Sequence, residues 1–392
     1  MNAKQWLPLI GLTISVFIFN MSEFMPIGVL TDIATDLSVS ESQAGLIISF
    51  YAWAVALLSL PLMLLLRKME YRRMLLLAVF LFMVFQFLSG VSTSYWMLMG
   101  ARIGVAVAHS IFWSIAAPLA VRVVEERYQR FALSVMAVGT SIAMILGLPA
   151  GRMIGLAFGW RMSFFTIAAI SVMVLILLLA VFPRLENPGT FTVKRMPDIY
   201  RNKVLVGLYI AVAVFVTGHF TAYSYIEPFL LQVAGFSEGL VTYTLIAFGI
   251  AGIIGSMIFS KFYEKLRYVM MPVVFFCAML MLFLMRAVTS YEVVLIIVCS
   301  VWGMCYTLFC VTGQNEVLRA SPADATAIAM SLQSGIFNVG IAMGSIVGGL
   351  VTDHIDIADI GLVGGLFAAV AAVFVIAFLI RWIKESESAR RS

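Results

Sequence analysis

Arg102, His109 and Trp113 lie in an otherwise apolar stretch, Leu98–Pro118, reading LMGARIGVAVAHSIFWSIAAP. At about 100° per residue, steps of seven and eleven return nearly to the same helix face. The three side chains therefore line one stripe. An arginine at the centre of a bilayer costs roughly 2.5–3.5 kcal/mol even on the lenient insertion scale. The stripe is expected to face a polar cavity between helices rather than lipid. Two readings of Arg102 are open: a tie to the carbonyls or a carboxylate of a neighbouring helix, or a part in proton coupling. His109 carries an imidazole that titrates near neutrality, and it either meets substrate or proton or packs. Trp113 offers a face on which a sugar ring could stack, although aromatic side chains in spans mostly pack.

Glu23 is the one carboxylate of the first apolar run and stands three residues before Pro26, whose missing N–H frees a backbone carbonyl. Desolvation there disfavours the charged form, which suits a group that takes up and releases a proton. The alternative is a solvated carboxylate near the outer surface. In the seventh run, His219, Tyr223 and Glu227 follow an i, i+4, i+8 spacing that drifts about 40° per step. They share one broad polar face, with Tyr225 a quarter-turn away, and Pro228 is expected to break the helix just after Glu227. Gln333 and Asn338 are neutral hydrogen-bonding groups suited to an uncharged polyol. Gln314, Asn315 and Glu316 read as a solvated helix end. Together these assign Glu23, Arg102 and His109 to proton coupling. Trp113, His219, Tyr223, Tyr225, Glu227, Gln333 and Asn338 are assigned to substrate.

The positioning elements follow from composition. Charged residues make up 11% of the chain and hydrophobic residues 62%, against about 25% charged in a soluble domain. The class is all-α integral membrane. Each crossing needs roughly 20 apolar residues, and twelve such runs are present: 7–30, 42–66, 74–93, 97–121, 131–157, 162–182, 203–231, 239–260, 268–289, 292–317, 325–351 and 360–382. The runs are continuous rather than alternating, which excludes a closed β-barrel. Lys4 and the run after it resemble a signal peptide, but no small-x-small site follows, so the run is expected to stay as the first span.

The connections after spans two, four, six, eight and ten are basic, as is the tail, whereas Thr31–Gln43 carries Asp32, Asp36 and Glu41. The positive-inside rule places both termini in the cytoplasm, and the membrane is expected to be the cytoplasmic, or cell inner, one. The net charge of +5 is thus topological and implies no nucleic-acid partner. The proline-bearing segment 184–202 is expected to be a cytoplasmic central loop between an N-terminal six-helix bundle (1–183) and a C-terminal one with a short tail (203–392). At an offset of 197, Ala132, Ser134, Gly147, Gly151 and Arg122 match Ala329, Ser331, Gly344, Gly348 and Arg319. Such a duplicated unit puts a substrate site at the midplane between its halves. Arg102 and His109 map to Cys299 and Tyr306, so the halves share a scaffold but not a chemistry.

Other chemistries lack their residues. There is no phosphate-binding Gly-x-x-x-x-Gly-Lys-Ser/Thr string, no His-Glu-x-x-His and no nucleophilic constellation. Cys277, Cys299, Cys305 and Cys310 lie in apolar runs without metal spacing. No metal, no cofactor and no enzymatic activity is expected.

Twelve spans, a six-plus-six duplication and a basic central loop resemble the major facilitator superfamily. The fifth span, Gly139–Gly151 (GTSIAMILGLPAG), resembles the antiporter motif of its drug/proton exchangers, through Gly139, Gly147, Pro149 and Gly151. The connection after the second span, Arg67–Arg73, departs from the family's Gly-x-x-x-Asp core; its copy, Ser260–Lys265, keeps an acid only as Glu264. Within the superfamily, the strings 17–34, 51–61, 102–115, 147–155, 221–229, 234–239 and 334–341 resemble the bacterial sugar efflux transporters. That resemblance implies a monomer that exchanges sugars or small glycosides for protons by alternating access. Export of amphipathic drugs such as chloramphenicol is the alternative in the same class; a passive channel or an intramembrane enzyme is the alternative outside it.

Overall fold

A computed structural model of the chain describes residues 3–66, 68–186, 196–322 and 326–391. Arg67, Pro188, Lys194 and Arg195, which belong to the basic connections and the central segment, lie outside the described residues. Those described form helices and turns and no strand. Among the described residues, ten helices are long and apolar enough to cross a membrane. One of them, α11, holds two spans in a row, and α6 adds another, which makes twelve. Met173, Ile176 and Leu179 of one span and Val370, Val373 and Ile376 of another are more than half exposed. Apolar outer faces of this kind fit lipid and would be costly in water.

Two compact units divide the chain, residues 1–40 with 50–191 and residues 41–49 with 192–392. The first contains α1 (Ala3–Phe24), α2 (Leu30–Asp36), most of α3 (Glu41–Leu66), α4 (Tyr71–Gly90), α5 (Tyr95–Arg122), α6 (Gln129–Phe158) and α7 (Trp160–Val181). A glycine-lined seam joins α1 and the turn after it to α6. A Cβ added to Gly139, Gly147, Gly151 or Gly155 would lie 3.0, 3.1, 2.2 and 2.6 Å from atoms of Thr13, Met21, Met25 and Val29 respectively. The two helices are thus in register at every step, and the glycines of the antiporter-like motif allow backbones to approach closely. Pro149 is buried inside α6.

The second unit contains α8 (Met196–Arg201), α9 (Lys203–Tyr223), α10 (Ile226–Pro228), α11 (Glu238–Ala287), α12 (Glu292–Ala320), α13 (Thr326–His354), α14 (Ile360–Phe374) and α15 (Ile380–Arg391). Its seam repeats the first. A Cβ on Gly340, Gly344 or Gly348 would lie 2.5–2.7 Å from Val216 Cβ, the Thr217 carbonyl or the Thr221 carbonyl of α9. Gly344 and Gly348 are the partners that the 197-residue offset assigns to Gly147 and Gly151.

Two expectations need correction. Pro228 does not break its helix after Glu227. α9 ends earlier, at Tyr223, and a π-helical turn, Phe229–Val233, follows. A proline withdraws the N–H that would reach the carbonyl four residues back, so the disturbance falls at Ser224. Glu316 is also not solvated. It is 2% exposed and takes two bonds of 2.6 Å from Arg267 Nε and Nη2. Tyr263 donates to the same carboxylate, while Glu387 of α15 pairs with Arg267 and accepts from the Tyr268 hydroxyl. Glu264 pairs with Arg319 beside them. The backbone leaves helical geometry only at Leu266 (φ −116°, ψ 18°), so the eighth and ninth spans join through a kink rather than a loop.

Candidate functional site

The first unit gathers its polar groups around the broken first span. Pro26 interrupts the α-helical bonding, and Met25–Val29 tightens into a 3₁₀ turn. The carbonyl left without an N–H is that of Ser22, four residues back. Arg102, from α5, fills the vacancy: Nη2 donates to the Ser22 carbonyl at 3.0 Å and Nη1 to Ser22 Oγ at 3.1 Å. Gln86 of α4 donates to the same hydroxyl. Further along the break, Arg152 Nη1 donates to the Gly28 carbonyl at 2.8 Å. Both arginines are fully buried.

Arg102 also lies over the Tyr51 ring, 4.5 Å from its centroid, a cation–π geometry. The Tyr51 hydroxyl and His109 Nδ1 share a hydrogen bond of 2.7 Å. On the other side of the imidazole, His109 Nε2 stands 3.9 Å from Glu23 Oε2. Three helices, α1, α3 and α5, thus build one row, Arg102, Tyr51, His109, Glu23. Phe19 closes one side, stacked between Phe82 at 3.9 Å and Phe112 at 4.3 Å. Trp113 is half-buried at the margin, its ring 6.0 Å from His109.

Two proton arrangements fit this row. With the tyrosine donating to Nδ1, a neutral His109 carries its proton on Nε2 and presents it to a Glu23 carboxylate. With Nδ1 donating to the tyrosine oxygen, Nε2 is bare and faces a protonated Glu23. The second holds one more proton than the first.

The second unit has the same interruption with different chemistry. Ser224 precedes Pro228 by four residues, as Ser22 precedes Pro26, but Cys299 stands at the matched place on α12 where α5 has Arg102. The centre here is aromatic. His219 is stacked on Tyr306 at 3.8 Å and 6° and on Tyr223 at 5.0 Å and 25°. Trp302 lies 5.0 Å away and Phe248 6.4 Å. His219 is fully buried, and neither ring nitrogen has a hydrogen-bond partner among the described residues. The same holds for Trp302 Nε1, Ser224 Oγ, Gln333 Oε1 and Asn338 Oδ1. Asn338 does donate to the Ser334 carbonyl at 3.0 Å. Tyr225 is engaged elsewhere: its hydroxyl donates to the Ser345 carbonyl at 3.1 Å, and its ring fills the notch left by Gly45, Gly348 and Gly349. Glu227 is buried on the short α10, beyond the helix break that separates it from His219 and Tyr223.

Residues 12–332 match the family model of the Major Facilitator Superfamily. The chain belongs to the major facilitator superfamily. It is therefore a membrane transporter of that superfamily. Its fold is similar to that of a bacterial homolog to human lysosomal transporter Spinster. The inward-facing, unoccupied form of that protein matches at TM-score 0.80, 14% identity, and 98% coverage of each chain. The inward-facing, occupied form matches at 0.76 and 15%, covering 96% of this chain and 97% of that one. The peptide transporter POT, solved with sulfate, matches at 0.78 and 13%, covering 96% and 94%.

In this superfamily member, several residues of the two clusters escape sequence reasoning. Tyr51 lies in an ordinary apolar run, and a tyrosine there signals nothing. Ser22 and Gln86 are equally unremarkable by type. Trp302 and Tyr306 read as packing, although Tyr306 matches His109 at the 197-residue offset and so marks a position worth following.

Proposed function

We propose that this transporter exports sugars or small glycosides from the cytoplasm in exchange for protons, by alternating access. It would act in the cytoplasmic membrane as a monomer with both termini inside, an orientation supported by the alternation of basic connections. The observation that carries the coupling is the position of His109, with one nitrogen on Tyr51 and the other facing Glu23.

A proton entering from outside goes to Glu23, and the neutral His109 shifts its own proton from Nε2 to Nδ1, so that the bare Nε2 faces the protonated acid. The neutral pair no longer needs a polar surrounding, so the free-energy difference between the two facing states changes. Release of that proton to the cytoplasm restores the carboxylate. Arg102 holds the broken first span in place beside Glu23 and is a positioning residue in this scheme. The neutral, mixed donor and acceptor character of the second unit supports an uncharged polyol as cargo, with His219, Tyr223, Gln333 and Asn338 as its contacts.

The aromatic weight of the second unit favours a second reading, export of amphipathic drugs such as chloramphenicol. Counterflow in proteoliposomes separates the two. With labelled arabinose, isopropyl thiogalactoside and chloramphenicol, and with or without a pH gradient, the first reading expects exchange of a sugar or glycoside that the gradient accelerates. Exchange of the drug alone supports the second reading. Flux indifferent to the gradient removes proton coupling.

A further inference from the structure

The buried imidazole of His219 has a cost that its own unit does not offset. A buried polar group without a hydrogen-bond partner is destabilising, and phenylalanine would fill the same stack without that cost. His219 has two such atoms, and Trp302 Nε1 adds a third beside it. The contrast with His109 is direct, since that ring has Tyr51 on one nitrogen and Glu23 facing the other. Buried polar groups without partners call for a physical explanation, and a ligand that reaches them supplies one.

The chemistry of the box defines the ligand. A neutral imidazole offers one donor and one acceptor, and an indole N–H offers a donor. A hydroxyl both donates and accepts, so vicinal hydroxyls match this set. The faces of Tyr223, Trp302 and Tyr306 suit the C–H face of a saturated ring. No carboxylate is among the five rings of the box, so nothing in it compensates a cation.

We propose that His219, Tyr223, Phe248, Trp302 and Tyr306 form a recognition box for one polyhydroxylated ring. In it, His219 and Trp302 are the polar anchors, and Tyr306 covers the imidazole until a ligand takes its place. The proposal rests on the sugar-export reading and names the site of its cargo. Tyr306 stacked at 3.8 Å and 6° already presents a flat partner to His219, and a sugar ring entering the box replaces that contact.

The test is calorimetric titration of the purified full chain with isopropyl thiogalactoside and with arabinose, paired with thermal unfolding. His219→Phe is expected to unfold at the same or a higher temperature than the parent and to bind the glycoside at least about tenfold more weakly. Trp302→Phe keeps the aromatic face and loses only the N–H, with an expected weakening of about threefold to tenfold. A parent that binds the glycoside together with a His219→Phe variant that binds it equally well overturns the box and leaves sugar export standing. A His219→Phe variant that unfolds much earlier, with Trp302→Phe binding unchanged, makes the cluster a packing core and also overturns it. A parent that binds neither sugar but does bind chloramphenicol overturns the export reading along with the box.

Discussion

Arg102 donates to the carbonyl of Ser22 at 3.0 Å, and that carbonyl is the one Pro26 leaves without an N–H. An arginine that lipid disfavours is thus the hydrogen-bond donor that a broken helix requires. The pair also ties α5 to α1 next to Glu23, so the support for the helix break and the candidate proton site are adjacent in sequence and space.

Their dependence on each other can be measured. Arg102→Ala leaves the buried Ser22 carbonyl without a donor, while the Ser22 hydroxyl keeps Gln86, and is expected to destabilise by about 1–3 kcal/mol. Pro26→Ala returns an N–H at the place where the helix lacks one. In a double-mutant cycle by thermal unfolding in detergent, Arg102→Ala should cost about 1 kcal/mol less when Pro26→Ala is present. Strict additivity contradicts the link. Arg102→Lys, which cannot reach both acceptors with a planar fork, should recover only part of the loss.

The glycine seams give a second expectation. A methyl on Gly344 would stand 2.5 Å from the Thr217 carbonyl, which is backbone and cannot step aside, whereas a methyl on Gly335 meets nothing within 4 Å. Gly344→Ala should force α13 from α9 and destabilise by about 1–3 kcal/mol. Gly335→Ala should be neutral or slightly stabilising, because alanine favours helix. Equal unfolding temperatures for the two variants would show that the seam yields.

The linkage of α11, α12 and α15 is a buried ion pair, and such pairs are asymmetric in their energetics. Arg267→Met leaves Glu316 charged and buried and should cost about 3–5 kcal/mol. Arg267→Met with Glu316→Met removes the two buried charges, leaves the part-exposed Glu387 to the Tyr268 hydroxyl and solvent, and should recover most of that loss. Urea or thermal unfolding of the two variants reads the difference, and a double variant as unstable as the single one argues against the pairing.

Tyr51 supplies a functional expectation. Tyr51→Phe keeps the ring under Arg102 and removes only the partner of His109 Nδ1. Gradient-driven exchange should fall by about tenfold, the order expected for one hydrogen bond, while exchange without a gradient persists. Parallel losses in both assays would place Tyr51 in the scaffold instead.

Much of the fold is legible in the sequence because lipid imposes a simple rule: long apolar runs become helices, and basic connections alternate. Glu23, Arg102 and His109 are visible for the same reason, as ionisable groups where lipid disfavours them. Legibility fails where type carries no anomaly. Nothing in YAWAVA reveals that Tyr51 meets His109, and nothing in the run containing Trp302 and Tyr306 reveals a stack on His219. Pro26 announces a free carbonyl, but only packing shows which side chain answers it. Glu316 reads as a solvated end because its partner, Arg267, is 49 residues away. Pro228 misleads in a different way, since its effect appears four residues upstream of itself.

Glu23→Gln in proteoliposomes tests the central claim most directly. Glutamine keeps the shape and loses the proton. The account predicts that labelled sugar or glycoside still exchanges by counterflow in the absence of a gradient, while acceleration by a pH gradient disappears. A Glu23→Gln variant whose exchange still accelerates with the gradient as in the parent contradicts it.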